Sequence, residues 1–258
     1  MVHVPLFKYN ILEHFLIEKT IVSKGVPFGT GGNMMAEYTY NIETTVVGTE
    51  DGKYTYEIRK RFDGEGRTAV VIALYPTISL LNPFILDNST MYLLNHTKEL
   101  GYNCIRILNL FPNVFRSKPS AKQLRENAEN LEYISSVFEE EKEKDTDIII
   151  AWGASLKSNE ITNIVRGHIV DMIISKQLEK KLRHFSAGDL DAESTITPHM
   201  LWLGLRCKDN WFVESITVKL LAESINKVIE EEKTRKQMAK AKTKVKEAKE
   251  NMPEENTD

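Results

Sequence analysis

The stretch Thr68-Ala69-Val70-Val71-Ile72-Ala73-Leu74 carries no charge and no turn former, and all of it but the two alanines is β-branched or larger aliphatic. A strand with one wet face alternates apolar and polar residues, so an unbroken run predicts a strand buried on both faces. Two similar runs follow, Cys104 to Leu110 and Asp147 to Trp152. Between them the pattern turns helical. Asp87-Asn88-Ser89 can cap a helix from about Thr90 to Leu100, and Gly101 is placed to end it. Gln123 to Glu143 and Glu160 to Lys181 are further helical stretches. This alternation predicts an α/β fold, a three-layer sandwich with a central, mainly parallel sheet and helices on both faces.

Upstream, Tyr38, Tyr40 and Ile42, then Thr45 to Val47, and after them Tyr54, Tyr56 and Ile58 alternate around Asp51-Gly52. Together they predict an N-terminal β-hairpin. Residues 1–35 read as a short amphipathic helix and a Gly-rich connector. The connector's glycines suit an anion, but it lacks the Lys-Ser/Thr ending of a P-loop. Residues 36–222 form the expected α/β domain. A long C-terminal charged helix begins near Ser215, and from 223 to 258 the chain is expected to be a charged helical tail, disordered at its end. Its Lys, Glu and Ala residues between 223 and 249 fit a solvated helix with Glu/Lys pairing, a helical partner or nucleic-acid phosphates.

Composition narrows the classes. Thirty-four basic against 37 acidic residues give a net charge of -3, which excludes a molecule-wide basic field. Cys104 and Cys207 are the only cysteines, too few for a disulfide framework or a Cys-rich zinc site, and a reducing compartment is expected. His3, Lys8, Glu13 and His14 interrupt the first residues, so no signal peptide is expected. The longest apolar runs fall far below the roughly 20 residues of a membrane span. A cytoplasmic protein without membrane, cofactor or metal is the resulting expectation.

In a parallel sheet ligands bind outside the carboxyl ends of the strands. Tyr75-Pro76-Thr77, Asn109-Leu110-Phe111 and Trp152-Gly153 follow the three runs and would meet there. Asn109 can read a polar ligand edge, or bond its own turn. Tyr75, Phe111 and Trp152 suit either ligand stacking or the core.

These residues resemble the bacterial and phage domain-of-unknown-function family 1643. The resemblance rests on Leu74-Tyr75-Pro76-Thr77, Asp87 with Thr90, Gly101-Tyr102, Asn109-Leu110-Phe111, Ala151-Trp152-Gly153 and His199-Met200-Leu201-Trp202-Leu203, in that order, over about residues 54 to 205. Tyr75, Thr77 and Met200 depart from that family's Asn, Ser and Pro; Asn82 stands close enough to take over the first role. More distantly, the layout is similar to the uracil-DNA glycosylase fold. What the resemblance implies is a nucleotide- or nucleic-acid-directed protein with glycosylase-like or related hydrolytic chemistry. Asp87 and His199 would then be catalytic, with Tyr75, Pro76, Thr77, Asn82, Thr90, Asn109, Phe111, Trp152 and Gly153 binding ligand. Asp87 as a helix N-cap and His199 as a loop histidine are the plainer alternatives. A non-catalytic ligand-binding module, and a partner-binding protein acting through its tail, are the competing functions.

Overall fold

The computed structural model describes residues 38–78, 85–187 and 197–250. The expected N-terminal helix and connector, Asn82 and the end of the tail lie outside these residues.

Seven strands form one sheet in the order β1-β2-β4-β3-β5-β6-β7. The hairpin supplies β1 (Ile42–Gly48) and β2 (Thr55–Phe62), paired antiparallel, with Gly52 in the turn at φ 68°. The three apolar runs are β3 (Arg67–Ala73), β4 (Tyr102–Asn109) and β5 (Thr146–Ile150). Residues 69 to 72 of β3 are fully buried. Each buried aliphatic side chain there contributes roughly 1.5–3 kcal/mol.

The helices are α1 (Asn88–His96), α2 (Ala128–Glu141), α3 (Glu160–Ser175), α4 (Met200–Arg206) and α5 (Val218–Glu250). Each of the first three begins where an Asp or Asn side chain accepts an N–H of the first turn: Asp87, Asn127 and Asn159. A cap of this kind contributes about 1 kcal/mol. Strand side chains alternate between faces. Val70, Ile72, Leu108, Leu110, Ile148 and Ile150 therefore share one face, where they pack with residues of α2, α3 and α5. Ala69, Val71, Ile105, Ile107 and Ile149 share the other, with Leu93 of α1 and Met200 and Leu203 of α4. On this second face α1 and α4 touch closely. A Cβ at Gly204 would stand 2.1 Å from the Tyr92 ring, so only glycine permits the approach.

The sheet is mixed, which corrects the expectation of a mainly parallel one. The pairs β3·β4, β3·β5 and β5·β6 are parallel, whereas β1·β2, β2·β4 and β6·β7 are antiparallel. The hairpin adds on to β4 from outside, and the opposite edge is made by β6 (Leu182–Ala187) and β7 (Trp211–Ser215), two strands that the sequence reading lacks. Both are short and only partly buried. Arg183, His184 and Ser186 break the apolar run of β6, and Phe212 is exposed on β7.

A buried charge cluster fastens the hairpin to the body. Arg106, in the middle of β4 and 2% exposed, sends Nε and Nη2 to the Glu57 carboxylate at 2.7 and 3.0 Å. Its Nη1 reaches Glu141 at 2.6 Å and Glu140 at 2.9 Å, both at the end of α2. Arg59 and the Tyr133 hydroxyl also donate to Glu57. Burial pushes the Glu57 carboxyl upward, but the hydrogen bonds from Arg59 and Arg106 outweigh it and hold the group at about 2, against an ordinary 4.5. The folded state thus binds this proton more weakly than the unfolded chain does. The stabilisation is complete above 4.5 and disappears as the pH falls toward 2. Urea unfolding of the wild type should lose stability across that window, and Glu57→Gln should flatten the loss. At neutral pH the same substitution should cost about 3–5 kcal/mol, because it leaves Arg106 and Arg59 short of a counter-charge.

Candidate functional site

Chain order fixes where a site can form. From β3 the chain crosses through α1 to β4 on one side of β3, then returns through α2 to β5 on the other side. α1 and α2 lie on opposite faces of the sheet. The carboxyl ends of β3 and β5 are therefore a topological switch point, where the diverging connections leave room for a ligand.

Backbone bonds hold these ends together past the strands. Leu110 and Phe111 N–H donate to the Ala73 and Leu74 carbonyls at 3.0 and 3.1 Å, and Ala151 N–H donates to the Ile72 carbonyl at 2.9 Å. Gly153 N–H then bonds the Thr197 carbonyl at 2.9 Å, which ties the end of β5 to the segment entering α4.

Asp87 and His199 begin two neighbouring helices. Asp87 Oδ1 accepts from Thr90 N–H at 2.7 Å as the cap of α1, while Oδ2 accepts from the Thr77 hydroxyl at 2.6 Å. His199 caps α4, its Nδ1 accepting from Leu201 N–H at 3.2 Å. An Nδ1 that accepts leaves the ring proton on Nε2. Burial drives the His199 imidazole below its ordinary 6.5, and the Asp87 charge opposes that without cancelling it. The neutral ring with an Nε2–H is the form that results at neutral pH, close enough to Asp87 to feel its charge.

Gly153, at φ 65°, supports His199 from below: a Cβ there would lie 2.7 Å from the His199 Cβ. Asn109, 2% exposed, ends β4. Its neighbours Leu108 and Leu110 face α2 and α3, so alternation places Asn109 on the α1 and α4 face, the face of His199. Its carbonyl accepts from Asn130 Nδ2 at 2.9 Å.

Other residues of the sequence constellation turn inward. Phe111 is wholly buried and Trp152 is 2% exposed, both in the core beside α2 and α3, so packing describes them rather than an open stacking face. Tyr75 is half-buried and meets Phe115 edge-on, with ring centres 5.6 Å apart. Pro76 is buried, its carbonyl accepting from Phe115 N–H at 2.9 Å. Thr90 is buried beneath the α1 cap. Among the described residues no three His, Cys, Asp or Glu side chains converge as metal ligands, and no helix is long and apolar enough to cross a membrane.

Arg166 was missed in the sequence reading. It sits on the buried stripe of α3 with Val165, Ile169, Val170 and Ile173, is 4% exposed, donates Nη2 to the Gly153 carbonyl at 2.9 Å and lies over the Trp152 ring. A charge among the apolar residues Val165, Ile169, Val170 and Ile173 of one helical stripe was the signal that could have found it.

This is an α/β protein with a mixed sheet and a polar constellation at its switch point. The model of the family described as protein of unknown function (DUF1643) matches residues 55–189, and the chain belongs to that family. The match takes in Asp87, Asn109, Trp152, Gly153 and Arg166 and stops before His199. No curated protein and no solved structure matches the chain.

Gly153→Ala should push His199 away and force an alanine into a left-handed backbone, at a cost of about 1–3 kcal/mol. Urea unfolding reads the cost, and a shifted His199 ring resonance with the fold retained reads the displacement.

Proposed function

We propose that the strand-end constellation takes a nucleotide or nucleic-acid base and hydrolyses its glycosidic bond, with His199 as donor to the departing base. What carries the reading is the His199 ring: Nδ1 is engaged by Leu201 N–H, and burial disfavours its cation, so Nε2–H is a neutral donor beside Asp87 and Gly153. In the reaction the C–N bond breaks, its electron pair leaves with the base, and a water oxygen bonds the anomeric carbon. The water's proton ends on the base. A neutral imidazole stabilises a developing base anion by hydrogen bonding without first having to be protonated. Asp87 has both oxygens engaged, by Thr90 and by Thr77, which suits a fixed negative charge facing a cationic sugar better than a mobile general base. Asn109 and Thr77 would contact the ligand. The likeness to the uracil-DNA glycosylase layout supports this reading through motif order alone.

Tyr75 favours a second reading, a ligand-binding module without turnover. By motif order it takes the place at which the uracil-DNA glycosylase layout holds the attacking water, and burial raises its hydroxyl further above 10, so it is no base at neutral pH.

Purified protein should be assayed against modified-base DNA, nucleosides and nucleoside monophosphates. Cleavage should fall roughly a hundredfold or more in His199→Ala. The wild-type rate should hold through neutral pH and drop only below the 6.5 of an ordinary imidazole. Turnover that is indifferent to both His199→Ala and Asn109→Ala rejects the assignment. Thermal stabilisation by ligand with no product, reaching a few kcal/mol at saturation, selects the binding module instead.

A further inference from the structure

Two buried arginines in this protein are treated in opposite ways. Arg106 has three carboxylates around it. Among the described residues Arg166 has neutral company: the carbonyl of Gly153 at 2.9 Å, that of Ser155 at 3.5 Å and the face of Trp152, 5.3 Å from Cζ to the ring centre. Its Nε is buried with no acceptor, and among the described residues no carboxylate pairs with it. Burial pushes its guanidinium down to about 10, which still leaves a full cation at neutral pH. Enclosing a cation without a counter-ion costs several kcal/mol, a cost a fold tolerates where an anion arrives from outside.

A second unmet group stands one turn earlier on the same helix. Asn163 donates Nδ2 to the Lys157 carbonyl, while its Oδ1 is buried without a donor. Asn163, though not Arg166, also lines a groove of ≈ 420 Å³ between the start of α3 and α5, where Lys233 stands with Glu160 and Glu232 beside Ser158, Ile164 and Ile229. A cation lacking an anion and an acceptor lacking a donor, three residues apart on a helix, match a phosphate with a neighbouring hydroxyl. Gly153 links this side to the other: its carbonyl holds Arg166, and its Cα approaches His199.

We propose that Arg166 is the anion-binding residue of the strand-end site and takes the phosphate of a small phosphorylated ligand of nucleoside-monophosphate type, with a sugar hydroxyl donating to Asn163 Oδ1. The assignment builds on the His199 reading by placing the ligand across the end of β5. It names a small ligand because Arg166 is only 4% exposed: a terminal phosphate can enter such a site, whereas the continuous backbone of a nucleic acid would have to be threaded into it.

Isothermal titration calorimetry on the full chain with inorganic phosphate, nucleosides, their 5′-monophosphates and a single-stranded oligonucleotide tests this. The wild type should bind one monophosphate roughly thirtyfold or more tightly than the matching nucleoside, the difference a buried charge pair produces. Arg166→Gln should erase that preference and Arg166→Lys should keep part of it. Equal binding of nucleoside and monophosphate by the wild type overturns the proposal, as does binding of the oligonucleotide alone or of no phosphorylated probe. The wild-type comparison needs no variant, so it decides the matter even if Arg166→Gln does not fold. Phosphate preference without turnover sinks the hydrolytic reading and spares this one; turnover without phosphate preference does the reverse.

Discussion

Strand β3 is hydrogen-bonded in parallel on both edges, to β4 and to β5, and its middle residues have no solvent exposure. A strand in that position leaves no free backbone group and no wet face, so every connection must leave from its ends. One crossover passes over one face and the next over the other. The separation of α1 from α2, and with it the switch point at the ends of β3 and β5, follows from that central strand. The placing of Asp87 and His199 then depends on how α1 and α4 pack over the remaining face, where the missing side chain of Gly204 admits the Tyr92 ring.

Charge inside this protein does two separate jobs. Glu57, Glu140 and Glu141 are matched by Arg59, Arg106 and Lys144, and the cluster joins β2, β4 and the end of α2. Such a cluster adds little net stability over an apolar replacement, but it punishes the loss of any single member. It therefore specifies where the hairpin attaches. Among the described residues Arg166 has no such partner and instead borrows backbone carbonyls from the loop after β5, which its cation holds in place.

Particular residues show how far the chain could be read in advance. The ends of the three buried strands fell within about two residues of their expected positions, because unbroken β-branched runs have few other uses. The cap of α1 at Asp87 was equally legible from its Asp-Asn-Ser sequence. Asp87's second bond, to Thr77, was not, since it spans a loop. Phe111 and Trp152 have the residue types of ligand faces, yet both pack into the core beside α2 and α3: alternation past β5 sends Trp152 there with Ile150, while Phe111 follows Leu110 onto the same face just beyond the end of β4, where alternation no longer holds. The edge strands β6 and β7 escaped notice because half-buried edge positions tolerate Arg, His and Ser, and so carry no apolar signature.

By itself the sequence determined the parallel centre, its helical connections and the polar groups at the strand ends, because backbone hydrogen bonding and apolar burial act through local patterns that any such chain must obey. Only the tertiary structure decided where the hairpin attaches, the β6–β7 edge, the company of each buried charge and the face on which each side chain emerges. Those depend on which distant segment arrives as neighbour. Whether a buried guanidinium meets carboxylates, as Arg106 does, or carbonyls, as Arg166 does, is set by packing across the sheet and leaves no trace in the residues beside it along the chain.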